Sequence, residues 1–160
     1  MYFSSMFSEA KSNVIDYFGE KIYNCYFCDL LGDYEFNIEF LSSKDDLQCI
    51  VFVFSYDFIG NIYLNGVKYD VPLGKYKSIN VFESVYGSKV NVRLNIKHGK
   101  IGVCNGNVHN IGTKKTVLYA GRGHAMKISQ NVNDLLFECN SNEYDKSFTD
   151  LTFLISDVKK

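Results

Sequence analysis

From Tyr34 to Phe40 the chain alternates without a fault. Tyr34, Phe36, Ile38 and Phe40 fall on one face of an extended backbone, and Glu35, Asn37 and Glu39 on the other. Period two predicts a half-buried strand. "LQCIVFVFSY" (Leu47–Tyr56) is apolar on both faces and reads as a central strand covered on both sides. "NIYLNGVKY" (Asn61–Tyr69) reads as a hairpin closed by Asn65-Gly66 in a type I′ turn. That register sets Leu64 opposite Val67 and Ile62 opposite Tyr69.

"LNIKHGKIGVCNGNVHNIGTKK" (Leu94–Lys115) reads as a meander. A turn at His98-Gly99 sets Ile96 against Ile101 and Leu94 against Val103 on the inner face. Arg93, Asn95, Lys97 and Lys100 then point outward. A second turn is expected at Asn105-Gly106, which leaves Cys104 on the outer face beside it. Further strands are expected at Thr116–Ala120, Ala125–Ser129, Leu135–Cys139 and Leu151–Ser156. Only the start has helical spacing. Phe7, Ala10, Val14, Tyr17 and Phe18 recur at three and four, so a helix over residues 4–18 is expected, stopped by Gly19 and capping the β core.

About twelve short strands at close spacing predict an all-β fold: a two-sheet antiparallel β-sandwich, jelly-roll-like, with one short N-terminal α-helix. At 160 residues the chain is sized for a single domain, 1–160. Composition agrees with strands, with 12 tyrosines and 13 phenylalanines against a single proline, Pro72. The longest apolar run, Cys49–Phe54, falls far short of the roughly 20 residues of a membrane-spanning helix. The N-terminus lacks the pattern of a signal peptide. Five cysteines, an odd count, do not make a disulfide framework. The expectation is a soluble cytoplasmic chain with reduced cysteines, or a domain trimmed from a larger protein.

Charge is the feature that composition hides. The net charge is −1, yet residues 84–133 carry eight Lys/Arg, no acid and all three histidines. Residues 1–83 carry six Lys/Arg against twelve Asp/Glu. Two readings follow. Basic strands can lie beside acidic ones, with Glu35 and Glu39 matching Arg93 and Lys97 across a strand pair. Alternatively, Arg93, Lys97 and Lys100, joined by Arg122 and His124 from the loop "YAGRGHAMK" (Tyr119–Lys127), form a ligand-binding face. Gly121 and Gly123 leave that loop free to bend, and Arg122 suits an oxyanion.

Other chemistry is thinner. Cys25, Cys28, Cys104 and His109 are the right ligand types for zinc, but cysteines three apart on a strand face opposite ways. Cys104 with a histidine could serve as a nucleophile. Asn140–Asp150 offers oxygen ligands for calcium but lacks EF-hand spacing. No motif implies a cofactor, and none of the familiar catalytic signatures occurs. Inward-facing aromatics and an acidic balance argue against nucleic acid. The first expectation is a non-catalytic binding module for an anionic or carbohydrate-like ligand. The second is a structural or protein-interaction domain, self-associating as a homo-oligomer or docking a protein partner. A small hydrolase comes last.

Overall fold

The computed structural model describes residues 1–28, 31–71 and 77–159, so Pro72 lies outside the described residues. The chain opens with helix α1 (Phe3–Ala10) and hairpin β1 (Val14–Tyr17) and β2 (Glu20–Tyr23). Then come β3 (Tyr26–Cys28), β4 (Gly32–Ser43), β5 (Gln48–Phe54), β6 (Ile59–Leu64), β7 (Val67–Tyr69) and β8 (Lys77–Val81). A helical turn, α2 (Glu83–Tyr86), leads into β9 (Lys89–His98), β10 (Ile101–Ile111), β11 (Lys114–Tyr119), β12 (Ala125–Gln130), β13 (Asp134–Asn140) and β14 (Leu151–Lys159).

The protein is an all-β sandwich of two antiparallel sheets with a short N-terminal helix. Among the described residues the larger sheet has nine strands, ordered β1-β2-β12-β13-β14-β4-β9-β6-β7. The smaller is ordered β11-β10-β5-β8, with β3 also pairing β10. Their inner faces share one core: Phe36, Ile38 and Phe40 from β4, Val92 and Leu94 from β9, Ile50 and Phe52 from β5, and Val103 from β10. Across β13 and β14, Phe137 stacks on Phe153 with ring centroids 4.5 Å apart. β5 is buried on both faces over most of its length, as its unbroken apolar run requires.

The Asn65-Gly66 hairpin closes in the expected register, with Leu64 opposite Val67 and Ile62 opposite Tyr69. Both turn residues have positive φ, 51° and 79°, the type I′ geometry. Tyr34–Phe40 keeps its expected inner and outer faces.

Three local expectations are corrected. The helix covers residues 3–10, not 4–18. Lys11 turns left-handed at φ 52° and ends it. Val14–Tyr17 is instead a strand, paired with Glu20–Tyr23 across a turn at Phe18 and Gly19, both with positive φ. β-Branched Val14 and Ile15 are better satisfied there than in a helix. The helix still packs, burying Phe3 and Phe7 against Ile22, Ala125 and Phe148.

His98-Gly99 is not a hairpin turn. β9 belongs to the larger sheet and β10 to the smaller, so Ile96 and Ile101 are buried in one core without pairing. Gly99, at φ 85°, makes the corner between sheets. There the Lys100 N–H donates to Ser55 Oγ at 2.9 Å, and the Ser55 N–H donates to the Lys100 carbonyl at 3.0 Å.

Asn105-Gly106 is not a turn either, since both residues lie inside β10. The hairpin turn comes later, between Ile111 and Lys114. Gly106 serves close packing rather than a positive φ. A Cβ there would meet the Val51 side chain at 2.7 Å and the Leu118 carbonyl at 3.0 Å.

Candidate functional site

Side chains alternate along a strand, so β5 turns Gln48, Ile50, Phe52 and Phe54 inward, and β10 turns Ile101, Val103, Asn105 and Asn107 inward. The two strands run antiparallel, with Phe54 opposite Ile101 and Gln48 opposite Asn107. The inner face of the small sheet is therefore apolar over most of its length and becomes amide-lined at one end. From the large sheet that end receives Asn140 and Ser141, at and just past the close of β13, and Asp150, just before β14.

These groups hold one another. Asn105 Nδ2 donates to the Asn140 carbonyl at 2.9 Å and to Ser141 Oγ at 3.2 Å. Ser141 Oγ donates to Gln48 Oε1 at 2.7 Å. Asp150 Oδ2 accepts the backbone N–H groups of Ser141 at 2.7 Å and Asn142 at 3.1 Å. Asn140 Nδ2 donates to the carbonyls of Gly123 and Asn142. Asn105 Oδ1 is buried without a partner among the described residues. The polar network fixes the 141–150 loop and the 121–124 loop against the end of the sandwich.

His124 sits at the centre. Its Nδ1 accepts the Gly121 N–H at 3.0 Å, which leaves the proton of the neutral ring on Nε2. Nε2 then donates to Asn107 Oδ1 at 2.7 Å. His109 Nε2 lies 3.1 Å from the same oxygen. Burial lowers the His124 pKa to about 4, His109 pushes the same way, and Asp150 opposes. The ring is neutral at pH 7.

The two glycines of this loop are needed for space, since neither has positive φ. A Cβ on Gly121 would lie 2.9 Å from His124 Nδ1, and one on Gly123 would come within 2.5 Å of the Ser141 carbonyl oxygen. The loop is tied at its outer side by the Phe3 N–H, which donates to the Arg122 carbonyl at 2.8 Å.

Over this floor opens a pocket of about 630 Å³. Gln48, Asn107, His109, His124, Ser141 and Asn142 supply uncharged polar groups, and Leu118 and Tyr144 supply apolar surface. Its charged residues are Lys44, Asp45, Arg122, Glu143 and Asp150. Two pairs of these meet: Lys44 Nζ stands 3.8 Å from Asp150, and the Arg122 guanidinium 3.7 Å from Glu143. Arg122 also lies over the Tyr2 ring at 4.9 Å. A second cavity of about 310 Å³ is walled by Phe27, Tyr34, Phe36, Ile101, Val103 and Ile155, and offers apolar contact rather than directional hydrogen bonds.

The structure divides the sequence-derived candidates. Arg122 and His124 line the pocket. Arg93 and Lys97 lie exposed on β9, and Lys100 at the corner before β10. Six strand steps from Ile101 to Asn107, roughly 20 Å, separate the Lys100 corner from the pocket end of β10. Arg93 pairs opposite Glu35 and lies over the Tyr63 ring at 5.4 Å. Antiparallel register brings Lys89, not Lys97, opposite Glu39.

The metal candidates do not assemble. Among the described residues no cluster of three His, Cys, Asp or Glu could hold a metal ion. Cys25 and Cys104 approach to 3.3 Å, but Cys28 stands opposite inward-facing Ile101 and His109 lies at the far end of β10. Asn140 Oδ1 and Asp150 Oδ2 accept from the backbone of their own loop, and Asp150 Oδ1 faces Lys44. Cys104 is on the outer face of the small sheet, as expected, yet is only 1% exposed. Both His124 nitrogens are engaged by Gly121 and Asn107 rather than by a hydroxyl or thiol.

Gln48, Asn105 and Asn107 carried a readable signal that the expected turn concealed. They are polar residues in phase with inward apolar ones. With β10 read as one strand through Gly106, that phase marks the polar end of the core. Lys44, Asn142, Glu143 and Asp150 carried no such signal, since they sit on loops.

Comparison with family models, with curated proteins and with solved structures finds no match to this chain. No helix among the described residues is long and apolar enough to cross a membrane.

Proposed function

We propose that this chain is a non-catalytic binding module that takes a neutral, hydroxyl-rich ligand of the carbohydrate class in the pocket over His124. The observation that carries this reading is the make-up of the lining. Amides, two imidazoles and a hydroxyl converge on about 630 Å³, a volume within the usual range for small-ligand sites. A sugar hydroxyl donates and accepts at once, and amide side chains answer both needs. Leu118 and Tyr144 offer surface for the apolar face of a ring.

Of the anionic and carbohydrate-like alternatives, the charge arrangement favours the second. Lys44 and Arg122 stand beside carboxylates of the same pocket, so an incoming anion would compete with Asp150 and Glu143. A neutral ligand meets that arrangement without displacing either pair. The buried network beneath holds both loops in place before the ligand arrives, which lowers the ordering cost of binding.

A glycan array probed with the wild-type chain tests the reading. Neutral glycans should bind, and His109→Ala and Arg122→Ala should each weaken binding by about tenfold, the scale of one lost hydrogen bond to a ligand. Both side chains are exposed, so the variants should keep the wild-type circular dichroism. Retention of phosphorylated or sulfated glycans alone, or binding unaffected by both substitutions, would overturn it.

A further inference from the structure

Strand β3 meets β10 along three residue pairs, the last being Val103 opposite Tyr26. Cys25 directly precedes β3, and the same register continued by one step would set it opposite Cys104. Directly opposed residues in such a ladder have Cα atoms about 4.5–5.5 Å apart. A disulfide spans about 4.4–6.8 Å. The two sulfurs already lie 3.3 Å apart, with the Cys104 thiol directed at Cys25 Sγ. All five cysteines are free. The other three are placed differently. Cys49 stands opposite Gly106, two residues along from Val51, the β5 partner of Cys104. Cys28 stands opposite Ile101, and Cys139 belongs to the other sheet.

We infer that Cys25 and Cys104 form a redox modification site, a dithiol that hydrogen peroxide converts into a cross-strand disulfide. Cys25 is 8% exposed and Cys104 1%, so the less buried Cys25 takes the first step. The Cys25 thiolate attacks one peroxide oxygen and the O–O bond breaks. Cys25 becomes a sulfenic acid, and the departing hydroxide takes up the proton released by the thiol as a first water. The Cys104 sulfur then attacks the Cys25 sulfur. The S–S bond forms, the S–O bond breaks, and the hydroxyl leaves with the Cys104 proton as a second water. Two thiols are oxidised and one peroxide is reduced. Its hydrogen bond with Cys25 and its burial keep the Cys104 thiol well above the ordinary thiol range, so Cys104 is not the sulfur that peroxide oxidises first.

The bond would join positions 79 residues apart. It would staple the segment that carries the chain from β2 of the large sheet to β3 of the small one. Cross-links that close long loops stabilise by restricting the unfolded chain. The site does not touch the pocket over His124, so it stands independently of the binding reading.

The test treats the intact chain with hydrogen peroxide, alkylates remaining thiols under denaturing conditions, and maps peptides without reduction. The expected result is a Cys25 peptide joined to a Cys104 peptide, with the other three cysteines alkylated. The thermal midpoint should rise by about 5–15 °C and fall back on addition of dithiothreitol. Cys25→Ser should leave Cys104 open to alkylation and abolish the rise, and Cys25→Ala serves if the serine variant does not fold. Three results would each overturn the inference: all five cysteines alkylated after peroxide, Cys104 joined to another cysteine, or Cys25 over-oxidised with Cys104 still free.

Discussion

His124 illustrates how much one side chain can organise. It is 3% exposed, accepts one hydrogen bond and donates another, and joins the Gly121 turn to β10. With its pKa near 4, against about 6.5 in an unfolded chain, the unfolded state takes up the proton first as pH falls. The stability held by the neutral ring is complete above about pH 6.5 and is lost progressively toward pH 4, by roughly 3 kcal/mol in all. Urea denaturation at pH 7 and about pH 4.5 should therefore show a steep loss for the wild type. His124→Gln should be less stable at pH 7 by about 1–3 kcal/mol, from the broken hydrogen bonds, and should lose less on acidification. Equal losses in both proteins would place the titration elsewhere. The histidine was identifiable in the sequence as a candidate. Its burial was not, because Asn107, its partner on β10, lies 17 residues away along the chain.

Among elements, the two Asn-Gly pairs set the limit of local reading. Asn65-Gly66 is a turn because β6 and β7 pair with each other, and its backbone adopts the positive φ values that the pair tolerates. Asn105-Gly106 has the same two residues, but β5 pairs with both and β11 with Gly106, and these strands hold it extended. Tertiary pairing overrode the turn preference. Glycines divide in the same way between conformation and space. Gly66 has φ +79° with open surroundings, so Gly66→Ala should cost about 1 kcal/mol. Gly60 sits at the register shift between β6 and β9, where a Cβ would strike the Asn95 carbonyl oxygen. Gly60→Ala should cost about 1–3 kcal/mol, since β6 must move to admit it. Urea midpoints of the two variants, compared at constant slope, check that order. A larger loss at Gly66 would contradict it.

At the scale of the whole molecule, the fifty-residue span without an acid does not become one basic face. The chain crosses between sheets from β4 to β5, β5 to β6, β8 to β9 and β9 to β10, so neighbours in sequence are dispersed in space. Arg93 stands opposite Glu35 and Lys89 opposite Glu39 in the register of β4 and β9, and Lys127 Nζ lies 2.7 Å from Glu20. Exposed charges of opposite sign set side by side in this way leave little long-range field at physiological salt. The chain should therefore elute from a heparin column at or below about 0.15 M salt. Retention far above that would reveal a cationic surface that these pairings do not neutralise.

The sequence alone determined the sandwich class, the inner and outer faces of β4, the doubly buried β5 and the Asn65-Gly66 hairpin. Period-two alternation and turn chemistry are local, and burial follows from them wherever a strand has two faces. Only the tertiary structure decided that β9 and β10 lie in different sheets and that Asn105-Gly106 stays extended. It also decided that Gln48, Asn107 and His124 converge on one pocket and that Cys25 faces Cys104. These depend on which strands meet, and strand pairing is set by the packing of the shared core rather than by neighbours along the chain.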